Sequence, residues 1–387
     1  LIQELININQ KNIFVINQNI KIINYYIKNN NINYKGLKLI NSLKDKGLSV
    51  SFLNHANNKI NYQIWADFPN TLKNKFNNKD ITNLKKQIDI ILKKNSGGTA
   101  STFKTLWIKN GISNLKTIFK LPNINKFKKK FTNQSAIIVC PGPSLKNNLD
   151  VLQKLKDKYF ICSLGHSLMA LDAKKITPDI LIHVDPASSE WYRKTLKNYN
   201  FSKIKLLILA ATCEKQLLKK KAKNIAWVST NNSYDDWICD LIGDKNSLLN
   251  VANVSHVALT ILTNLGFKNI AFIGLDHSIT ENKFYINSKA STNEDIKIWG
   301  MSKLRTWPAI NGGIVKSNYK FINSIMVFER LIKRIKSENN NVNLYNCTYQ
   351  GALIKGFNNI TLKDYYKKTY SEQSKKNNLI LEVVNKY

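Results

Sequence analysis

The chain has 387 residues, enough for two or three domains with at least one large core. Its 43% apolar content, spread throughout, excludes a disordered chain, and its formal charge of +34 comes almost wholly from Lys scattered among Asn and Ile. Arg is rare and only Lys126 to Lys130 and Lys219 to Lys221 cluster, so no specific nucleic-acid partner is expected, although such a field attracts anionic substrates, acidic proteins and the anionic lipid of a membrane surface.

Residues 1–70 read as a small N-terminal α/β region. Lys11–Asn17 and Gln63–Phe68 have the apolar runs of strands, while Lys21–Asn29 suits strand or helix equally. Over residues 71–134 the pattern turns helical. Leu84, Ile88, Ile91 and Leu92 recur at helical spacing, Ser96-Gly97-Gly98 interrupts, and Phe103, Leu106, Trp107, Ile112, Leu115 and Phe119 resume it. A helical hairpin and a linker from Leu121 to Gln134 are expected.

At Ser135 the rhythm changes. Ala136–Val139, Tyr159–Ser163, Ile180–Val184, Lys205–Ala210, Asn224–Val228 and Asn269–Ile273 read as strands, most of them separated by helical stretches. This alternation predicts an α/β, Rossmann-like domain over residues 135–318, a mostly parallel sheet with helices on both faces. Beyond Asp276 the chain is polar and poorly patterned as far as Asn318. Residues 319–387 are expected to pack on the central domain through a helix (Phe321–Lys336) and a strand near Val342–Tyr345.

In an open parallel sheet, ligands bind outside the C-terminal strand ends. After the first central strand stands Pro141-Gly142-Pro143-Ser144-Leu145, at the opening of a helix. Gly142 permits a tight turn and close approach of a ligand, Ser144 suits a helix cap, and the free N–H groups suit a phosphate. A capped turn alone is commonplace. Yet Ser163-Leu164-Gly165-His166 follows the second strand, Asp185-Pro186-Ala187-Ser188-Ser189 the third, Ala211-Thr212 the fourth, and Ser229-Thr230-Asn231-Asn232 the fifth. Asn253 and Ser255 stand at the start of a helix from Val254 to Leu265, and Gly274-Leu275-Asp276-His277 closes the last strand. Together these predict a polar crevice for a nucleotide or nucleotide-sugar. Single residues have plainer readings beside that one. Asp179 suits a turn, His183 a satisfied core position, and Asp185 and Asp276 suit caps. His166 and His256 lie in early helical turns with no specific warrant as catalysts.

The five cysteines (Cys140, Cys162, Cys213, Cys239, Cys347) are widely spaced with no C-x-x-C pair, which predicts buried thiols in a reducing compartment and no structural zinc. No apolar run approaches the roughly 20 residues of a membrane helix. No signal-peptide pattern is visible, and a cytoplasmic location is expected. The sequence opens on Leu1 rather than Met, which leaves room for residues upstream.

At these residues the chain resembles a known family. Ala136-Ile137-Ile138-Val139-Cys140-Pro141-Gly142-Pro143-Ser144-Leu145, Pro178-Asp179, His183-Val184-Asp185, Val254-Ser255-His256-Val257-Ala258, Leu265-Gly266 and Phe272-Ile273-Gly274-Leu275-Asp276 resemble the central domain of the motility accessory factor proteins. Trp107-Ile108-Lys109-Asn110 with Asn114-Leu115 resembles the helix before that domain. Asn346-Cys347-Thr348-Tyr349-Gln350-Gly351-Ala352-Leu353-Ile354-Lys355-Gly356 resembles its closing asparagine–threonine–glycine–alanine motif.

The resemblance implies a fold similar to one group of bacterial sialyltransferases. It implies a glycosyltransferase that moves a nonulosonic, sialic-acid-like sugar from a CMP-activated donor to a protein or surface-glycan acceptor, such as Ser or Thr of flagellin. No cofactor is then needed, and no Asp-x-Asp metal motif occurs. The residues expected to hold the nucleotide are Gly142, Pro143, Ser144, Leu145, Ser163, Ser188, Thr212, Asn253 and Ser255. Asp276, His277 and Asp185 are the candidate proton acceptors. The chain departs from the family pattern at Ala252-Asn253, where Gly-Ser is frequent, and at Leu275, where glutamine commonly stands. Apart from His277 no histidine follows Asp276, so the family's base does not carry over. The same superfamily contains 6-hydroxymethyl-dihydropterin diphosphokinases, so an enzyme using ATP and magnesium is the alternative. A third reading is a non-catalytic binding protein acting through its basic surface.

Overall fold

The computed structural model describes residues 13–16, 28–29, 37–40, 105–186, 198–230, 233–242, 253–280, 283, 285–286, 304–339, 341–370 and 379–384. The chain divides into two compact units, Leu1–Lys104 and Thr105–Tyr387. In the first, β1 (Ile13–Ile16) pairs in parallel with β2 (Leu37–Ile40), so the strand expected over Lys11–Asn17 is present. The expectations for Gln63–Phe68 and for helix before residue 105 lie outside the described residues.

The second unit opens with a helix over 105–118 and then builds one sheet. Its strands are β3 (Ser135–Val139), β4 (Phe160–Leu164), β5 (Ile180–His183), β6 (Leu206–Ala210), β7 (Ile225–Val228) and β8 (Asn269–Ile273). A hairpin of β9 (Arg305–Pro308) and β10 (Ile314–Ser317) follows, and β11 (Asn343–Asn346) and β12 (Asn358–Asn359) rejoin the sheet. The order across the eight strands is β12-β11-β8-β3-β4-β5-β6-β7. Every pairing among them is parallel. This is the expected α/β, Rossmann-like architecture.

The strand composition explains the layers. β3 reads Ser-Ala-Ile-Ile-Val and is buried at every position, as a strand covered on both faces must be. Ala136 and Ile138 join a core cluster with Val257, Leu262 and Phe328, from the helices Val254–Leu265 and Tyr319–Glu338. Ile137 and Val139, one residue out of phase, join Leu152, Leu171 and Tyr365 from the helices Leu149–Leu155, Leu168–Ala173 and Leu362–Thr369. Phe328 is fully buried, with ring centroids 5.6 Å from Phe272 and 5.9 Å from Phe357. Phe328→Ala should therefore destabilise the unit by about 3–5 kcal/mol, read as a lower midpoint in urea unfolding followed by circular dichroism.

Two sequence expectations need correction. The polar stretch before Asn318 is not without pattern, because β9 and β10 pair there in antiparallel register. Their side chains alternate half-buried and exposed for most of their length, and Asn311-Gly312-Gly313 supplies the turn, with both glycines at positive φ. Asp179 does more than form a turn. Its carboxylate accepts from Ile161 N at 2.9 Å and pairs with Lys205 at 3.0 Å, stitching β4, β5 and β6 at the edge opposite the strand ends of interest.

β3 to β7 step outward in one direction, and β8 then returns to the other side of β3. The order thus reverses between β3 and β8, and sheets of this kind bind ligands outside the C-terminal strand ends at such a reversal.

Candidate active site

The turn after β3 stays zipped to β8, with Cys140 N donating to Ile273 O and Gly142 N to Gly274 O, both at 2.9 Å. Pro143–Asn147 then forms a short 3-10 helix. Ser144 does not cap it; Gly142 occupies the cap position and offers no side chain. Instead Ser144 reaches from the end of β3 to the end of β8. Its amide donates to Asp276 Oδ2 at 2.9 Å and its hydroxyl to Asp276 Oδ1. That amide is therefore engaged by a carboxylate rather than open to a phosphate. Pro143 is buried, and Leu145 packs in the core beside Leu149 and Leu152.

Asp276 is 2% exposed, and burial pushes its carboxyl up to about 7 although both bonds from Ser144 pull the other way. The loop after β11 clasps this end of β8. Leu275 N donates to Thr348 Oγ1 at 3.0 Å and Ala352 N to Asp276 O at 2.7 Å. Gly351, at φ +147°, lies where a Cβ would stand 2.5 Å from the Asp276 carbonyl oxygen. The asparagine–threonine–glycine–alanine segment thus positions the carboxylate.

His277 adopts φ 45°, a left-handed conformation unusual for a residue with a side chain. Ser317 Oγ donates to its carbonyl at 2.7 Å, and its Nε2 lies 2.6 Å from Ser324 Oγ. The Leu275 backbone favours the protonated His277 ring, against the larger effect of burial. Ser324 further accepts from Asn253 Nδ2 at 2.5 Å, and its carbonyl lies 3.0 Å from His256 Nε2. Burial lowers His256 to about 3 and His277 to about 4, so both rings are neutral at ordinary pH. Asn253 caps its helix, its Oδ1 accepting from Ser255 N at 3.0 Å and Ser255 Oγ at 2.6 Å. Ser324 lies in an amphipathic helix, and no sequence signal marks it.

A second group of polar residues stands at the ends of β4 and β5. Ser163 Oγ and Ser167 Oγ are 3.0 Å apart, and Ser167 also reaches Val139 O at 2.7 Å, tying the turn after β4 that carries His166 to β3. The His166 ring stacks on Tyr285, with centroids 5.7 Å apart and planes at 16°. The next residue, Ile286, donates its amide to Pro141 O at 2.8 Å, so this segment bridges the two groups. Asp185 is half-buried; burial raises its carboxyl while the nearby His166 opposes the rise. Burial lowers His166, the Asp185 charge raises it, and His183 lowers it further. Asp185 likewise helps raise the Tyr285 phenol, after burial. His183 is a core residue of β5, as expected, at 3% exposure.

The helix over 105–118 pins the neighbouring loops. Asn110 Nδ2 donates to Pro186 O at 2.7 Å and Thr212 O at 3.1 Å, and Asn114 Nδ2 to Ala211 O and Cys213 O. Thr212 is fully buried at the end of β6, its Oγ1 without a protein partner. Ser188 lies outside the described residues. All five cysteines are buried and form no disulfide.

The family described as 6-hydroxymethylpterin diphosphokinase MptE-like matches residues 109–282, from the pinning helix through β8 and Asp276. Over this stretch the chain is similar to that family. The chain is also similar to an uncharacterized protein of Treponema pallidum (strain Nichols), 34% identical over 88 residues, which are 22% of this chain and 39% of that protein. Among solved structures, the Maf glycosyltransferase of Magnetospirillum magneticum AMB-1 superposes with a TM-score of 0.54 at 14% identity, covering 98% of this chain and 60% of that one. The likeness is one of fold. The chain spans less than two thirds of the length of each of these two proteins.

Proposed function

We propose that the MptE-like stretch is the catalytic part of a glycosyltransferase, which moves a nonulosonic, sialic-acid-like sugar from a CMP-activated donor to a hydroxyl of a protein or surface glycan. Flagellin Ser or Thr is the first acceptor to test. The observation that carries this reading is the meeting of the Gly142–Ser144 turn with Asp276 at the strand-order reversal, where doubly wound sheets bind nucleotides. The shared fold with a Maf glycosyltransferase supports it.

In this reading CMP lies across the ends of β3 and β8, beside Ser163 at the end of β4. Its phosphate is a good leaving group, so the protein chiefly orients donor and acceptor. Asp276 holds the Ser144 turn in place, and Asp185 stands on the acceptor side. The reaction needs no metal, and its place is the cytoplasm. Among the described residues no helix is long and apolar enough to cross a membrane. The basic surface draws in the anionic donor.

The description of the matching family favours a second reading, a diphosphokinase that uses ATP and magnesium. Calorimetry with CMP, CTP, ATP and GTP, each with and without magnesium, separates the two. CMP binding without metal is expected; magnesium-dependent ATP binding in its place would establish the diphosphokinase.

A further inference from the structure

We propose that the edge of the sheet opposite the candidate site, formed by the loops that enter β3 to β7, docks on a bilayer of anionic lipid. The inference goes beyond the transferase reading and does not depend on it. Because these strands are parallel, the loops that enter them meet at one edge and the segments that leave them at the other. The charge divides with them. Residues 121–134, 156–159, 174–179, 198–205 and 219–224 are rich in Lys and hold only two acids, Asp157 and Asp179. Asp179 is already held by Lys205 at 3.0 Å. Lys126, Lys128 and Lys129 before β3, Lys175 before β5, Lys203 before β6 and Lys221 before β7 are all exposed. At the other edge, the described segments after β3 to β7 hold Lys146 and Lys215 beside Asp185 and Glu214, and Asp276 follows β8. A lysine-rich composition alone would load both edges alike; this chain loads one.

Two of these lysines stand where lysine is a poor structural choice. Lys129 and Lys175 have φ of 57° and 53°, in the left-handed region where a Cβ crowds the backbone and glycine does not. Both turns are fixed by their bonds. Lys129 N donates to Asn264 O at 2.9 Å, at the C-terminal end of the helix Val254–Leu265. Lys175 N donates to Asp172 O at 2.9 Å, and Ile176 N reaches back to Leu171 O at the same distance. Glycine suits both positions better, so what lysine adds there is its charge.

A row of ammonium groups suits a bilayer better than a nucleic acid. Neighbouring strands lie about 4.8 Å apart, so the loops of five strands spread over roughly 20 Å. Arg, whose planar fork reads phosphates and base edges in pairs, is absent from these loops. Tyrosines border the row. Tyr159 Oη and Thr369 Oγ1, 2.8 Å apart, bring the end of the helix Leu362–Thr369 to this edge. There Lys158 Nζ donates to Tyr366 Oη at 2.8 Å and lies 4.5 Å and 5.0 Å from the centroids of the Tyr366 and Tyr370 rings. Tyr370 is 54% exposed, and a tyrosine beside lysine suits the level of the lipid headgroups. Docked in this way the sheet stands on the bilayer, with Asp276 one strand length, about 17 Å, from the lipid.

The test is sedimentation of the full chain with vesicles of phosphatidylcholine, with and without phosphatidylglycerol, beside binding of a single-stranded RNA oligonucleotide. Binding to the phosphatidylglycerol vesicles alone is expected, weakening steeply as salt is raised. Lys129→Gly and Lys175→Gly should each melt about 2 °C higher than the wild type yet bind those vesicles about five-fold more weakly. Lys221→Gln should weaken binding to a similar degree. Lys215→Gln, which removes the same charge at the opposite edge, should leave vesicle binding near the wild-type value. Equal losses in Lys215→Gln and Lys221→Gln would mean a diffuse field and overturn the proposal. So would a wild type that ignores phosphatidylglycerol or binds RNA more tightly than vesicles, and so would glycine variants that gain stability and keep full vesicle affinity.

Discussion

Gly142→Ala is expected to disable the site more completely than any other single-methyl change. At φ −62° and ψ 153° Gly142 sits in extended backbone that any residue adopts, so conformational strain is not the reason. Space is. A Cβ there would stand 2.5 Å from Asp276 Oδ1 and 2.6 Å from its Cγ, and against the Gly274 carbonyl oxygen. Retreat of the turn would break the 2.9 Å bond from Gly142 N to Gly274 O that continues the β3–β8 ladder. A loss of about 3 kcal/mol is expected from overpacking against backbone. It should be accompanied by loss of CMP binding in calorimetry. Unaltered urea unfolding and CMP affinity would show that the turn has room to move.

The second large effect is on stability as a function of pH. Burial lifts the Asp276 carboxyl from an ordinary 3.8 to about 7. The folded state therefore binds the proton more tightly than the unfolded chain does. The contribution is fully present below about pH 4, falls as pH rises through the window between the two values, and is flat above about 7. Its size is on the order of a few kcal/mol. In Asp276→Asn the group cannot ionise, so urea unfolding between pH 5 and 8 should lose this part of the slope. If wild type and variant show the same slope, the carboxyl is not raised. The substitution should also abolish transfer while the fold persists, and unchanged activity would remove Asp276 from the site.

The central sheet was legible because its strands are apolar on both faces. β8 lies at Asn269–Ile273 as read, and β3 to β7 differ from the sequence reading by a residue or two at their ends. Such runs carry their own signal, since burial on two sides demands Ile, Leu and Val at successive positions. β9 and β10 show the opposite case. They are half-exposed, four residues each, and their polar faces dilute the pattern that Gly312-Gly313 could have marked. β12 has only two residues. The site was legible as a set of strand ends but not as a set of contacts. Ser144 had the credentials of a cap, and only the return of β8 beside β3 brings Asp276 within reach. Pairings such as Ser324 with His277, or Tyr285 with His166, depend on how separate segments meet in space, and local composition is silent about that.

The clasp on β8 gives the site a place in time. Strands β3 to β8 can assemble once residue 273 has left the ribosome, but Thr348 and Ala352 emerge only after the whole helix Tyr319–Glu338. At roughly 5–20 residues per second that interval lasts several seconds. Through it a nascent chain would own most of its sheet while the carbonyl of Asp276 and the amide of Leu275 lack their partners. Competence to bind a ligand would therefore arrive late in synthesis, and a chain cut short just beyond that helix would be a sheet with its site left unlatched.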